Sequence, residues 1–109
     1  MRWRRLAGSC LLALLAWTGD PVRAAGDPDK GKEVAERRCA RCHVVGVEKL
    51  FGGIGSTPSF FLMNEKLDDY RQRIWTFKER RPHRAQEFDD VSREDIEDLL
   101  AYIATLERP

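Results

Sequence analysis

Cys39-Ala40-Arg41-Cys42-His43 puts two thiols and an imidazole within one short stretch of chain. Three chemistries use such residues. Two thiolates can begin a tetrahedral zinc site, two nearby thiols can cycle as a redox pair, and two thiols followed at once by histidine make the C-x-x-C-H pattern of covalent haem attachment. A zinc site needs further Cys or His ligands, and outside the motif the chain offers only Cys10 and His83. A redox C-x-x-C is expected beside a βαβ pattern, and the chain shows none. Haem attachment uses every member of the motif. The thiols add across two vinyl groups as thioethers, the two-residue gap sets both sulfurs along one porphyrin edge, and the adjacent imidazole can bind iron as proximal ligand. The motif therefore predicts one covalent haem c per chain, held by Cys39 and Cys42, with His43 on the iron.

The N-terminus predicts where that chemistry operates. Arg2, Arg4 and Arg5 precede an apolar run from Leu6 to Trp17, and Val22-Arg23-Ala24 supplies small residues at the outer and inner cleavage positions. This is the layout of a secretory signal peptide over residues 1–24. The apolar run is about twelve residues, short of the roughly 20 needed to span a bilayer. An uncleaved anchor helix is the alternative. After cleavage no stable membrane insertion is expected, and the destination of the exported protein is the bacterial periplasm.

Removing residues 1–24 leaves a mature domain, 25–109, with 15 basic against 17 acidic residues, a net charge of −2. Nothing in that balance points to nucleic acid. Cys10 leaves with the signal, so both remaining cysteines belong to the motif. A small exported domain without structural disulfides needs another staple, and covalent haem can supply both the cross-link and missing core.

The elements that must position the motif read from caps and periodicity. Asp27-Pro28 opens a helix that continues from Lys30 to Arg38, with Gly31, Val34 and Ala35 on its small or apolar face. Val44 to Ser56 carries four glycines and reads as a loop. Thr57-Pro58 predicts a short helix to about Lys66, and Asp68 or Asp69 begins another that runs to Lys78 or Glu79 before Pro82. Ser92-Arg93-Glu94-Asp95 resembles a capping box with Asp in place of Glu or Gln. Ile96, Leu99, Leu100, Ile103 and Leu106 then form one helical stripe. The chain reads as all-α.

In this order the features resemble the class I, small soluble monohaem c-type cytochromes, over residues 27–107. The residues that carry the resemblance are Gly31, the haem motif, the glycine loop reaching Pro58, Pro82-His83, and Asp98 to Ile103 near the end. The resemblance implies a cytochrome c-like fold of three to five helices around the haem, with the first and last crossing closely at Gly31 and Tyr102. It also implies that the Pro58 carbonyl accepts a hydrogen bond from the other nitrogen of His43, which orients the imidazole and makes it a stronger donor.

The chain departs from that family at the sixth iron position. The family usually carries a methionine shortly after a Pro-His, but Pro82 to Phe88 contains none. Gln86 stands at the position counted back from Ser92. Met63 and His83 are the other candidates for a distal ligand, and an open or water-filled site is the remaining possibility. Met63 lies on an apolar helical face that also explains it without a metal.

Charge is segregated. Arg71, Arg73, Lys78, Arg80, Arg81 and Arg84 are opposed only by Glu79, and an acidic stretch from Glu87 to Asp98 follows. The basic segment suits an acidic redox partner protein, and one or two of its arginines, with the indole N–H of Trp75, are candidates to hold the haem propionates. The expected activity is single-electron transfer through Fe(II)/Fe(III), by a free carrier or a subunit of a redox complex, rather than catalysis. The alternative is an open-site haem protein that binds or senses a small gas or has peroxidase-like activity.

Overall fold

Asp27 begins the first helix as its sequence predicts. Its carboxylate accepts hydrogen bonds from the backbone N–H groups of Asp29 (2.9 Å) and Lys30 (3.4 Å), and Pro28 occupies the first helical position, where no N–H is needed. The computed structural model describes residues 26–109, so the signal segment expected at 1–24 lies outside the described residues. Four α-helices follow one another: α1 (Pro28–Val34), α2 (Phe60–Glu65), α3 (Leu67–Trp75) and α4 (Arg93–Thr105). Three short 3-10 turns punctuate the connections, and no strand occurs among the described residues. The architecture is all-α, within the expected three to five helices.

The frame is the crossing of α1 with α4. Gly31 sits at it because a Cβ there would overlap the backbone carbonyl oxygen of Asp98 and stand 2.8 Å from the Tyr102 Cβ. Only a residue without a side chain lets the two backbones come this close. Two polar contacts fix the approach. The buried Asp98 carboxylate accepts from the Asp27 N–H (2.7 Å), and the Tyr102 hydroxyl donates to the Val45 carbonyl (2.6 Å). The second bond ties the last helix to the chain just after His43.

α4 carries the reciprocal cap foreseen for it. The Ser92 hydroxyl accepts from the Asp95 N–H (3.0 Å), while the Asp95 carboxylate accepts from the Ser92 N–H (2.9 Å). Its stripe buries Ile96, Leu99 and Ile103 against Val34, Ala35, Val45, Phe60, Ile74 and Val91, with Leu100 and Leu106 packed at the edge.

The element ends differ from the sequence expectation in instructive ways. α2 starts at Phe60 rather than at Thr57-Pro58, because Ser59 is the cap and its hydroxyl accepts from the Leu62 N–H (3.1 Å). Pro58 therefore remains in the loop, where its carbonyl has another partner. α3 stops at Trp75, short of Lys78. There Thr76 turns its hydroxyl back onto the Gln72 carbonyl (2.8 Å) and accepts from Arg80 Nε (2.9 Å), so the chain continues as the 3-10 turn Phe77–Glu79. α1 widens into a π-helical turn over Ala35–Cys39 before reaching the motif.

Candidate functional site

The π turn delivers the C-x-x-C-H motif. Its last bond runs from the Ala40 N–H to the Ala35 carbonyl (2.9 Å), and the Cys39 carbonyl then accepts from the N–H groups of both Cys42 (3.2 Å) and His43 (2.9 Å). One carbonyl thus gathers the motif into a single turn. π-helical insertions of this kind recur at functional sites because they re-aim the side chains that follow.

Cys39 and Cys42 are half-buried free thiols. Burial pushes the Cys39 thiol up to about 12, against the opposing influence of Arg38. A redox-active C-x-x-C pair needs the reverse, a thiol lowered toward thiolate at working pH. Among the described residues no group of three or more His, Cys, Asp or Glu could hold a metal ion, whereas a structural zinc site takes four such ligands. A haem brings its own four nitrogens in the ring plane and asks only for thiols at its edge and axial donors. These residues fit that group.

His43 is oriented for axial donation. Its Nδ1 lies 2.7 Å from the Pro58 carbonyl oxygen. A carbonyl can only accept, so Nδ1 carries the proton and the Nε2 lone pair is free for a metal. The Phe60 ring stands 5.7 Å from the imidazole and 6.5 Å from Tyr102, and the Phe60 N–H donates to the Val44 carbonyl (2.9 Å). α2 is thereby fastened to the histidine's own side of the site.

The distal candidates separate in the structure. His83 opens the 3-10 turn His83–Ala85, and its ring plane lies within 7° of that of His43, with ring centroids 6.1 Å apart. Phe77 and Phe88 present themselves to the His83 ring at 5.2 and 5.7 Å, and pack edge-on against each other at 5.2 Å. Burial lowers the His83 pKa, with a smaller push from His43, both of which favour the neutral imidazole. Met63 is 7% exposed and packed within the main core. Gln86 is exposed on the same distal segment. Trp75 is half-buried with the Arg93 guanidinium over its ring at 5.3 Å.

Arg38 was not distinguishable in the sequence as part of the site. It immediately precedes Cys39 and reaches across to the distal segment. Its Nη2 donates to the Glu87 carbonyl (2.9 Å), its buried Nε lies 3.1 Å from the Asp90 carboxylate as an ion pair without hydrogen-bond geometry, and its guanidinium lies over the Phe88 ring at 4.8 Å. One side chain thus binds the segment that carries His83 to the turn that carries Cys39, Cys42 and His43.

Known proteins match this chain in sequence over most of its length. A family model described as cytochrome c matches residues 28–107. Cytochrome c-552 of Bradyrhizobium diazoefficiens is 31% identical over 101 residues, covering 93% of this chain and 94% of that protein. No solved structure matches. The matched span runs from the first residue of α1 to just beyond the end of α4, with the cysteine pair, the oriented histidine and the helix crossing all inside it, and the chain belongs to the cytochrome c family.

Proposed function

We propose that this protein is an exported monohaem c-type cytochrome of the bacterial periplasm, which passes single electrons as a free carrier or as a subunit of a redox complex. The observation that carries the reading is the turn in which Cys39 and Cys42 stand beside a His43 whose Nδ1 is committed to Pro58. Bound haem supplies the one-electron chemistry, through iron that alternates between Fe(II) and Fe(III). The chain does the rest. Cys39 and Cys42 would hold the haem edge through thioethers, and His43, its Nδ1 committed to Pro58, would present its Nε2 lone pair. The buried faces of α1, α2 and α4 exclude water from that side.

Docking falls to the surface. Among the described residues Arg71, Arg73, Lys78, Arg80, Arg81 and Arg84 make no ion pair, since the four pairs found involve Lys32, Arg38 and Arg108. Unpaired cations on a chain of slightly negative net charge give a local positive field that can steer an acidic partner. The loop after the motif adds exposed Val47, Leu50, Phe51 and Ile54, apolar contact area of the kind redox partners bury. Peroxidase-like chemistry would need a proton-handling pair beside the distal face. The rings packed against His83 are those of Phe77, Phe88 and His43.

Cell fractionation combined with a potentiometric titration tests this reading. The expected result is a red protein in the periplasmic fraction, beginning at Ala25, that titrates as a single one-electron wave. Recovery in the cytoplasm, or the absence of a one-electron wave, would contradict it.

A further inference from the structure

We propose that His83 is the second axial ligand of the haem iron, so that the site is a bis-histidine centre rather than a methionine-ligated or open one. The inference rests on the reading that haem is attached at Cys39 and Cys42. Three observations support it, and the first is spacing. An imidazole nitrogen sits about 2 Å from a first-row metal, and the ring centre lies roughly 1 Å behind it, so two imidazoles on opposite faces of one metal have centres about 6 Å apart. The His43 and His83 centroids are 6.1 Å apart with their planes within 7°.

The second observation is the pattern of hydrogen bonds. His43 spends Nδ1 on Pro58 and keeps Nε2 for a metal. The half-buried His83 imidazole makes no hydrogen bond to any of the described residues, while Phe77 and Phe88 fix its orientation from the sides. An imidazole flanked by two aromatic rings, with its nitrogens uncommitted to protein partners, has the donor set of a ligand awaiting iron. Offset stacking of two imidazoles would account for the parallel planes alone but not for the edge-on packing of Phe77 and Phe88 against His83.

The third observation concerns the support of the segment. Phe88 is buried under the Arg38 guanidinium at 4.8 Å, and Arg38 also grips the Glu87 carbonyl and the Asp90 carboxylate. The distal segment is therefore anchored, at Glu87 to Asp90, to the turn that bears the motif cysteines, and Phe88 in turn packs against the His83 ring. Met63 has no comparable arrangement. It lies on α2, the helix fastened beside His43 through Phe60, and its side chain is packed in the core.

Spectra of the purified ferric holoprotein test the assignment without recourse to electron-transfer activity. The expected state is fully low-spin, with no sulfur-to-iron charge-transfer band. Near-parallel imidazole planes split the iron dπ levels, so the paramagnetic resonance signal should be rhombic with three resolved g values. His83→Ala should convert the iron to predominantly high-spin and open it to carbon monoxide in the ferrous state, with the haem still attached, whereas Met63→Ala should leave the spin state unchanged. A wild-type protein that is already high-spin, or a sulfur-to-iron band that Met63→Ala abolishes, would overturn the proposal while leaving the haem reading intact. The wild-type spectrum decides the matter even where the His83 variant fails to fold. A chain recovered without covalent haem would overturn the haem reading itself, and this assignment with it.

Discussion

Replacing both Cys39 and Cys42 with alanine is expected to abolish the cooperative thermal transition of the protein. The physical basis is the small amount of structure each helix can hold alone. α1, α2 and α3 have seven, six and nine residues, and α4 has thirteen. Isolated helices shorter than about 12–15 residues are marginal in water. Ordering the backbone costs roughly 1–2 kcal/mol per residue, and no disulfide joins the two free cysteines to offset it. A haem held by Cys39 and Cys42 would contribute a large apolar surface for the helical faces to pack against and would tie the turn after α1 to it. Removing it deprives a domain of this size of much of its core. Circular dichroism of the double variant should show weak helicity and a broad, non-sigmoidal melt. Native-like helicity with a sharp transition would show that the protein core alone is sufficient.

Gly31→Ala is expected to lower the melting temperature even though alanine is the better helix former. Propensity alone would favour the substitution by about 1 kcal/mol. The new methyl group, however, would overlap the Asp98 carbonyl oxygen and stand 2.8 Å from the Tyr102 Cβ. The Asp98 obstacle is backbone and cannot swing aside, so α1 and α4 must separate. Overpacking of this kind costs about 1–3 kcal/mol, occasionally more. Separation also stretches the Asp27–Asp98 and Tyr102–Val45 hydrogen bonds, both of which bridge the crossing region. A net loss of about 2 kcal/mol corresponds to a fall of about 10 °C for a domain of this length. Gly52→Ala is the control, since a Cβ there would meet only ordinary contacts, Lys49 Cβ at 3.6 Å and the Lys49 carbonyl oxygen at 3.7 Å. Equal melting temperatures for wild type and the Gly31 variant would refute the close crossing.

The two helix caps were legible in the sequence because their signals are local. Asp27 with Pro28, and Ser92 with Asp95, each act over no more than three residues, so the pattern and the hydrogen bonds coincide. The thiols and the imidazole of the motif are contiguous, so attachment chemistry can be proposed for them from the sequence alone. Other features depend on distant parts of the chain. Arg38 meets Glu87 across 49 residues. His83 comes parallel to His43 only after α2, α3 and two 3-10 turns have returned the chain. Neither end of such a contact carries a periodic or capping signal. The π turn at Ala35–Cys39 has no sequence mark either, because ordinary helix formers occupy it. Pro58 illustrates a conflict between signals: Thr57-Pro58 reads as a helix start, yet Ser59 takes the cap and leaves the Pro58 carbonyl to His43. Met63 was ambiguous for a simpler reason, since a thioether on an apolar helical face serves a core or a metal equally well, and in the structure it is packed in the core.

Mass measurement of the purified mature protein, expressed with its c-type maturation machinery intact, decides whether the chain carries covalent haem. The expected product is a chain beginning at Ala25 and heavier by one haem. That mass should survive extraction with acidified acetone and localise, after proteolysis, to the peptide containing Cys39 and Cys42. A chain at its bare polypeptide mass, or a haem that acidified acetone removes, would contradict it.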